Sequence, residues 1–296
     1  MRRALIIINP AARGVANPAR ICHESQRLLA ERGIVATVGL APEREAATRA
    51  AQKAAAAGLD MVIAAGGDGV INRVAQGLAG TETALGFIPL GTGNSLGFEF
   101  GITPGDLASA CDLIAGGDTR AVDLGLINGR VFVGIADIGL AALVQGQVSQ
   151  RWKGRFGVAA LGNRFLKSLP RVRPWQYLAR LEGAELSGRM WGIFLLKGRR
   201  RVWRVQLDLP GTDDDGLLQV LTLRDCSRKR LLGIARELAF RNVPLAEIPE
   251  FTLHPAQSLA VQTCPPAPWE VDGEPEGVTP IAASVLPRAL RLIVPR

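Results

Sequence analysis

The sequence predicts a chain in two parts, an α/β part built on a parallel sheet and then a β-rich part. Up to about residue 120, apolar runs of strand length alternate with helix-favouring segments, which is the pattern of parallel strands joined by crossover helices. Beyond that point strand-like runs follow one another, and the Asn128-Gly129 pair between two of them is a hairpin signal. We therefore place the domains at residues 1–120 and 121–282, with residues 283–296 a candidate to pack back on the first.

The elements of the first part can be assigned in order along the chain. Ala4 to Asn9, ALIIIN, is a continuous apolar run, which indicates a strand buried on both faces. Apolar spacing and helix-favouring residues predict helices over residues 17–32, 43–57, 70–78 and 105–115. Further strands are predicted over residues 34–40, 61–65 and 84–90, so strands and helices alternate throughout.

The second part contains strand-like segments separated by turns. They lie at residues 120–140, 175–183, 189–198, 202–210 and 217–223. Two helical segments, at residues 155–169 and 228–240, interrupt them. This order predicts a mainly antiparallel arrangement.

Composition excludes several classes of protein. The 296 residues are 48% hydrophobic and 21% charged, which is globular rather than disordered, and no run approaches the ~18 apolar residues that span a bilayer. The presence of only two histidines argues against a histidine-based zinc site, and four cysteines without a CxxC pair favour reduced thiols in the cytoplasm. A net charge of +8 suits a polyanionic partner such as a nucleotide phosphate, an anionic membrane or a nucleic acid.

The segment Ala64 to Val74, AAGGDGVINRV, carries the strongest functional signal. A buried strand enters GGDG and a helix leaves it. Glycines accept positive φ and lack a Cβ, so backbone N–H groups can close around an anion, and the helix adds its positive N-terminal end. Asp68 within the turn would repel a phosphate, so a magnesium ion or a transferred proton would explain its presence.

A second turn of this kind, PLGTGNS from Pro89 to Ser95, follows one strand-helix unit later. Thr92 offers a hydroxyl group and Asn94 an amide beside flexible backbone. Neither turn is a Walker A loop, because no GK[ST] follows, and neither matches GxGxxG. We expect both turns to face one crevice at the edge of the sheet.

These segments resemble the diacylglycerol kinase catalytic-domain family, in its soluble bacterial branch. Sphingosine and ceramide kinases belong to the same family, and NAD kinases and phosphofructokinases are more distant relatives. The matching motifs occur in the family's order: INPAARG (8–14), GGDGVIN (66–72), PLGTGNSLGFEFGI (89–102), VDLGLING (122–129), DDDGLLQVLTL (213–223) and VDGEP (271–275).

The resemblance implies an N-terminal α/β nucleotide-binding domain like that of NAD kinase and phosphofructokinase, and a C-terminal antiparallel β-sandwich domain for the lipid, with the active site in the cleft. It implies ATP, Mg²⁺ and phosphorylation of a hydroxyl of diacylglycerol or a related lipid. The implied ATP-binding residues are Asn9, Gly66, Gly67, Asp68, Gly69, Val70, Ile71, Asn72, Gly91, Thr92 and Asn94.

The resemblance also assigns the chemistry to acidic residues. Asp68 and Asp123 would serve the metal-phosphate centre, and Glu274, with Asp272 nearby, would accept the proton of the lipid hydroxyl. A structural magnesium site would be formed by the carboxylate of Asp215 and the backbone carbonyls of Thr212 and Leu217.

Several positions depart from the family motifs. Val70 replaces a hydroxyl residue, Arg73 a glutamate and Ser95 an aspartate, while Gly134 and Ala141 stand where Asn and Asp are common. These departures motivate a second hypothesis, a catalytically weak or inactive regulatory protein that binds nucleotide or lipid. The acidic residues Asp68, Asp123, Asp272 and Glu274 are all retained, which favours an active kinase. A third, nucleic-acid binding, rests on net charge alone, and we expect no nucleic acid as a partner.

A basic segment from Gln150 to Trp175 interleaves cations with aromatic and apolar residues. Leu161, Phe165 and Leu169 recur every four residues and form one helical stripe, which could pack on a core or rest on an anionic membrane. KGRRRVWR, residues 197–204, is a second basic cluster with the same two interpretations. The predicted location is cytoplasmic, with peripheral contact at the inner membrane face. The sequence leaves two oligomeric states open, a monomer and a homodimer.

Overall fold

The computed structural model describes residues 1–10, 17–91, 94–146, 162–197, 201–202, 205–206, 210–238, 243 and 245–296. The chain divides into two compact units. Unit 1 comprises Met1–Leu124 and Pro287–Arg296, and unit 2 comprises Gly125–Leu286. The last ten residues therefore return to the first unit.

Unit 1 is built on a parallel sheet with helical connections. Its elements are β1 (Arg2–Ile8), α1 (Pro18–Glu31), β2 (Ile34–Leu40), α2 (Arg44–Ala56), β3 (Met61–Gly66), α3 (Asp68–Leu78), β4 (Ala84–Pro89), α4 (Ser95–Glu99), α5 (Leu107–Gly116) and β5 (Asp118–Ile127), whose last residues enter unit 2. The sheet order is β2-β1-β3-β4, with the last part of β17 (Ile281–Val294) parallel to β4.

The predicted alternation in unit 1 is confirmed, and the buried strands explain it. Every residue of β3 and β4 is buried, as expected for parallel strands covered on both faces. The helix predicted from Val70 begins two residues earlier, at Asp68, because the extended backbone of Gly67 caps it. The short helix α4 was not predicted.

Unit 2 is β-rich, and the strand pairings within it are antiparallel. Its elements are β6 (Arg130–Phe132), β7 (Ile135–Gly139), α6 (Leu140–Gly146), α7 (162–168), β8 (Trp175–Leu181), β9 (Ala184–Leu196), β10 (Arg201–Val202), β11 (Val205–Gln206), β12 (Leu218–Arg224), α8 (Arg228–Arg236), a 3₁₀ turn (Leu245–Glu247), β13 (Phe251–Ala256), β14 (Ser258–Cys264), β15 (Pro268–Val271), β16 (Glu274–Val278) and the first part of β17.

The strands of unit 2 follow the order β16-β15-β7-β9-β8-β14-β17, and β12 joins β9 to β13. Trp191, Trp269 and Trp175 belong to its hydrophobic core. The hairpin predicted at Asn128-Gly129 is confirmed: both residues have positive φ, 44° and 81°, and they join β5 to β6. Positive φ at two consecutive residues is the geometry of a tight hairpin turn.

Candidate functional site

The two glycine-rich turns lie at the same edge of the parallel sheet of unit 1. β3 and β4 pair in parallel with Gly66 opposite Pro89, and Leu90 N–H donates to the Gly66 carbonyl at 2.9 Å. Both turns therefore leave the carboxyl ends of neighbouring strands, as the sequence predicts. This is the edge at which open α/β sheets bind ligands.

The turns touch through Gly67 and Gly91. A Cβ added to Gly91 would lie 2.5 Å from the Cα of Gly67, and one added to Gly67 would lie 3.3 Å from the Cα of Gly91. The first separation is below the 3.0 Å that real Cβ atoms keep from other heavy atoms. Only glycine at position 91 lets the two backbones come this close, and the contact builds one surface of backbone from two turns.

The helix α3 starts directly at this contact. The backbone N–H groups of Val70 and Ile71 donate to the Gly67 carbonyl at 3.0 and 3.2 Å, which leaves Asp68 and Gly69 in the first turn with Asp68 as its acidic residue. A carboxylate there is favoured by the helix dipole. Gly66 also needs its small size, because an added Cβ would lie 2.7 Å from the Val70 side chain.

Asn94 organises the second turn. It is buried, adopts a left-handed conformation with φ of 44°, and its Oδ1 accepts the N–H of Gly91 at 2.9 Å. Its Nδ2 donates to the carbonyl of the same residue. The Asn94 side chain thus closes the turn through two hydrogen bonds with Gly91. The contact of Asn94 with ATP stays a prediction. Thr92 lies outside the described residues.

Two further predicted ATP-binding residues lie in unit 1. Asn9 follows β1, whose last residue Ile8 pairs with Ala65 of β3, so it leaves the same edge of the sheet as the glycine turns. Asn72 is buried on α3, and its Oδ1 has no hydrogen-bond partner among the residues that the structure describes. A buried acceptor of this kind is unfavourable unless a ligand or water donates to it.

Asp123 is almost fully buried, at 1% exposure. Its Oδ1 accepts the backbone N–H of Arg288 at 2.7 Å, where Arg288 has a positive φ of 49°. Because a non-glycine residue with this φ is strained, the carboxylate stabilises a kink in β17. Asp123 therefore has a structural role, and its place at the metal-phosphate centre stays a prediction.

The DGE motif of unit 2 is a hairpin between β15 and β16. Asp272 and Gly273 have positive φ, 46° and 85°, and Glu274 opens β16 opposite Val271. Asp272 is fastened to Ile135: its Oδ1 accepts the Ile135 N–H at 3.0 Å, and its own N–H donates to the Ile135 carbonyl at 2.9 Å. The hairpin thereby fixes the start of β16, from which the partly exposed Glu274 extends.

The departure at Gly134 has a steric explanation in this hairpin. A Cβ added to Gly134 would lie 2.9 Å from Oδ1 of Asp272. Glycine therefore leaves room for the carboxylate that fastens the turn.

A buried acid pair beside this hairpin was missed by the sequence analysis. Asp137 and Glu270 face each other across β7 and β15, and they are 3% and 0% exposed. Gln145 of α6 donates through Nε2 to Glu270 and, at 3.5 Å, to Asp137. Burial raises the pKa of Asp137 to about 6, although hydrogen bonds with Glu270 and Gln145 lower it. The same glutamine also lies against the Asp272-Gly273 hairpin, because its Oε1 would lie 3.4 Å from a Cβ on Gly273.

The departure at Arg73 is explained by the packing of α3 on α2. Arg73 is buried and forms an ion pair with Glu45 at 2.9 Å, while Thr48 Oγ1 donates to the Arg73 carbonyl at 3.0 Å. A Cβ on Gly77 would lie 2.5 Å from the Thr48 carbonyl oxygen, so the two helices are in close contact. Arginine at position 73 thus serves the helix interface.

The three predicted ligands of the structural metal converge on a side chain. Lys197 Nζ donates to Asp215 Oδ1 at 2.5 Å, to the Leu217 carbonyl at 2.9 Å and to the Thr212 carbonyl at 3.2 Å. Among the described residues there is no cluster of three or more His, Cys, Asp or Glu side chains that could hold a metal. Lys197 lies far from this turn in sequence and was not among the predicted site residues.

The apolar stripe of the basic segment packs inward where it is described. Leu169 belongs to the core of unit 2, and Phe165 packs against that core, whereas Leu161 lies outside the described residues. Leu166, on another face of α7, is 55% exposed. None of the helices in the described part of the chain combines the length and the hydropathy needed to cross a membrane.

Family models match both parts of the chain. The diacylglycerol kinase catalytic domain matches residues 3–127, and the YegS C-terminal NAD kinase beta sandwich-like domain matches residues 134–294. A diacylglycerol kinase of Mycobacterium tuberculosis is 30% identical, with 98% of this chain and 94% of the relative covered. A diacylglycerol kinase of Bacillus subtilis is 27% identical, with 100% and 97% covered.

Solved structures share the fold. A crystal structure of a diacylglycerol kinase from Bacillus anthracis has a TM-score of 0.74 at 18% identity, covering 99% of this chain and 96% of the other. A second structure from the same organism has a TM-score of 0.80 at 22% identity, with 99% and 97% covered. The predicted fold class, a parallel α/β unit followed by an antiparallel β-sandwich-like unit, is confirmed.

These findings assign the chain to the lipid kinases, a class of phosphotransferases. Within it, the chain belongs to the diacylglycerol kinase catalytic-domain family. The matches to the family models and to the relatives extend over nearly the whole chain, so they include both units.

Proposed function

We propose that this lipid kinase transfers the γ-phosphoryl group of ATP, in the presence of Mg²⁺, to a hydroxyl group of diacylglycerol or a related lipid. The observation that carries the proposal is the contact between Gly67 and Gly91, which joins two glycine turns at the carboxyl edge of neighbouring parallel strands. Relatives named diacylglycerol kinase support the class of lipid.

The glycine turns have the chemistry of a triphosphate site. Backbone without Cβ atoms can approach phosphate oxygens closely, and the N-terminal end of α3 adds partial positive charge. The buried Oδ1 of Asn72, without a hydrogen-bond partner among the described residues, offers an acceptor to the bound molecule. These features fit a nucleotide.

Asp68 and Asp123 are the residues of unit 1 proposed to hold Mg²⁺ together with the phosphates. When bound, the ion would neutralise charge on the phosphate oxygens. Asp68 stands in the first turn of α3, next to the glycine contact. Asp123 is fixed by its hydrogen bond with the Arg288 N–H, which holds its carboxylate in one orientation.

Glu274 is proposed as the general base. The oxygen of the lipid hydroxyl forms a bond to the γ-phosphorus, the bond from that phosphorus to the bridging oxygen of ADP breaks, and the hydroxyl proton passes to the Glu274 carboxylate. Asp272 positions this glutamate through its two hydrogen bonds with Ile135. General-base assistance of this kind contributes about 10²–10⁴-fold to a rate.

The test measures transfer of labelled phosphate from ATP to diacylglycerol in mixed micelles. We expect Asp68→Asn and Glu274→Gln each to lower the rate by at least about 100-fold, with unchanged thermal unfolding. Glu185→Gln, an exposed residue of β9 paired with Arg180, is the matched control and should keep full activity. Undiminished transfer by both variants would refute the assigned roles, and ATP binding without labelled lipid in the native protein would favour the regulatory hypothesis.

Peripheral contact with an anionic membrane is proposed for α7 and its flank. The exposed Leu166 is accompanied by the exposed cations Arg164, Lys167 and Arg171, a combination that suits an interface of acidic lipids. Vesicles of phosphatidylglycerol should sediment the protein and vesicles of phosphatidylcholine should not. Leu166→Glu should reduce sedimentation, and equal binding to both vesicles would contradict the proposal.

A further inference from the structure

The turn over residues 210–217 of unit 2 holds the three residues that the family resemblance predicts as ligands of a structural magnesium ion, but their oxygens already accept hydrogen bonds from Lys197. We propose that the ammonium group of Lys197 replaces the divalent ion in this protein, so that the turn folds without a metal. The proposal does not depend on the identity of the lipid or on the assigned catalytic residues.

The first argument is the geometry around the ammonium nitrogen. The three predicted metal ligands, Asp215 Oδ1 and the carbonyls of Leu217 and Thr212, lie 2.5, 2.9 and 3.2 Å from Lys197 Nζ. An ammonium group has three hydrogens to donate and accepts nothing. Three acceptors therefore satisfy it, and a metal ion bound to the same three oxygens would have to occupy the position of the nitrogen.

The charges at the turn also favour an ammonium group over a divalent ion. Lys197 is fully buried, and burying an ammonium group is unfavourable unless a carboxylate and further acceptors compensate it. Asp215 supplies one negative charge, so the pair is neutral. Mg²⁺ prefers about six oxygen ligands at about 2.1 Å, and one carboxylate with two carbonyls would leave it short of both ligands and negative charge.

The third argument is that Asp215 is built into the turn independently of any ion. Its Oδ2 accepts the Thr212 N–H at 2.9 Å and its Oδ1 accepts the Leu217 N–H at 3.0 Å. Gly211 leaves space for this carboxylate, because an added Cβ would lie 2.4 Å from Oδ2.

The pairing register of β9 and β12 positions Lys197 beside the turn. Lys197 directly follows β9, whose last residue Leu196 pairs with Gln219 of β12, and β12 begins immediately after the turn. The lysine stem is carried into the turn by strands whose pairing is fixed by buried residues. Replacement of a metal by an ammonium group thus needs only one residue at the end of an existing strand.

Thermal unfolding without nucleotide tests the proposal. For the native chain we expect the melting temperature to differ by less than about 1 °C between EDTA and millimolar Mg²⁺ or Ca²⁺. Lys197→Met keeps an apolar side chain of similar length but leaves the Asp215 carboxylate without its ammonium partner. It should lower the melting temperature by roughly 10 °C. Lys197→Ala opens the position, and millimolar Mg²⁺ or Ca²⁺ should not restore the loss, because one carboxylate and two carbonyls supply too few ligands for either ion.

A double-variant cycle keeps the proposal falsifiable if a single variant fails to fold. Lys197→Met combined with Asp215→Leu removes both charges and should melt closer to the native chain than either single variant does. A fall of more than about 3 °C in the native melting temperature on adding EDTA would overturn the proposal, since that is the loss a bound structural ion would cause. So would a Lys197→Met variant as stable as the native chain in EDTA.

Discussion

Replacing Gly91 by alanine should disable nucleotide use without unfolding unit 1. The added Cβ would meet the Gly67 Cα at 2.5 Å and Asn94 Oδ1 at 3.1 Å. Non-bonded carbon atoms rest about 3.5–4.0 Å apart, so the two glycine turns must separate by about 1 Å. A displacement of this size at a reacting centre lowers a rate by about 100-fold.

The assay is the rate of phosphoryl transfer as a function of ATP concentration. We expect kcat/KM for ATP to fall about 100-fold in Gly91→Ala. Gly67→Ala, whose Cβ would lie 3.3 Å from the Gly91 Cα, should show an intermediate loss. The order of the two variants follows from the two distances.

The matched control is Gly116→Ala, in the same unit. Gly116 ends α5, and an added Cβ would meet nothing within 4 Å. This variant should keep full activity and melt at the native temperature or slightly above it, because alanine favours a helix. Full kcat/KM for ATP in a folded Gly91→Ala protein would refute the reasoning that the two turns form one nucleotide site.

Two further predictions concern buried charge. Burial raises the pKa of the Asp137 carboxyl group above its ordinary value, to about 6. The protonated form therefore stabilises the fold at low pH, and this contribution is lost as the pH rises from about 4 to 6. Asp137→Asn should flatten the stability profile between pH 4 and 7 in chemical denaturation, and an unchanged slope would contradict the assignment. Arg73→Glu, which introduces the family residue, should place a buried carboxylate beside Glu45 at the α2–α3 contact and lower stability by roughly 3 kcal/mol. The additional change Glu45→Lys should recover this stability, and failure of that rescue would show that the ion pair is unimportant.

The glycine turns could be located from sequence because the information is local. A buried strand, two or three glycines and a helix start lie within one short segment, and parallel order puts consecutive strand ends at one edge. Asp137 with Glu270, and Lys197 with Asp215, could not be found this way. Each pair is created by the register of strands distant in sequence.

The strands near the end of the chain were missed for a different reason. β13 contains Pro255 and β17 contains Pro287, and proline argues against a strand because it cannot donate a hydrogen bond to its neighbour. Among the strands that the structure describes, β13 pairs only with β12 and is therefore an edge strand, where proline is tolerated. The departure at Arg73 was likewise unexplained from sequence, because its partner Glu45 lies on another helix.

The return of residues 287–296 to unit 1 has a consequence for biosynthesis. The parallel pairing of Arg291 with Ala84 and of Leu292 with Leu85 covers β4, yet these residues leave the ribosome after the whole of unit 2. Until then the nascent first unit presents an unpaired strand edge, which is a site for association with other chains. Termination of synthesis just before residue 287 should therefore yield aggregating protein, although every residue around the glycine turns has already been made.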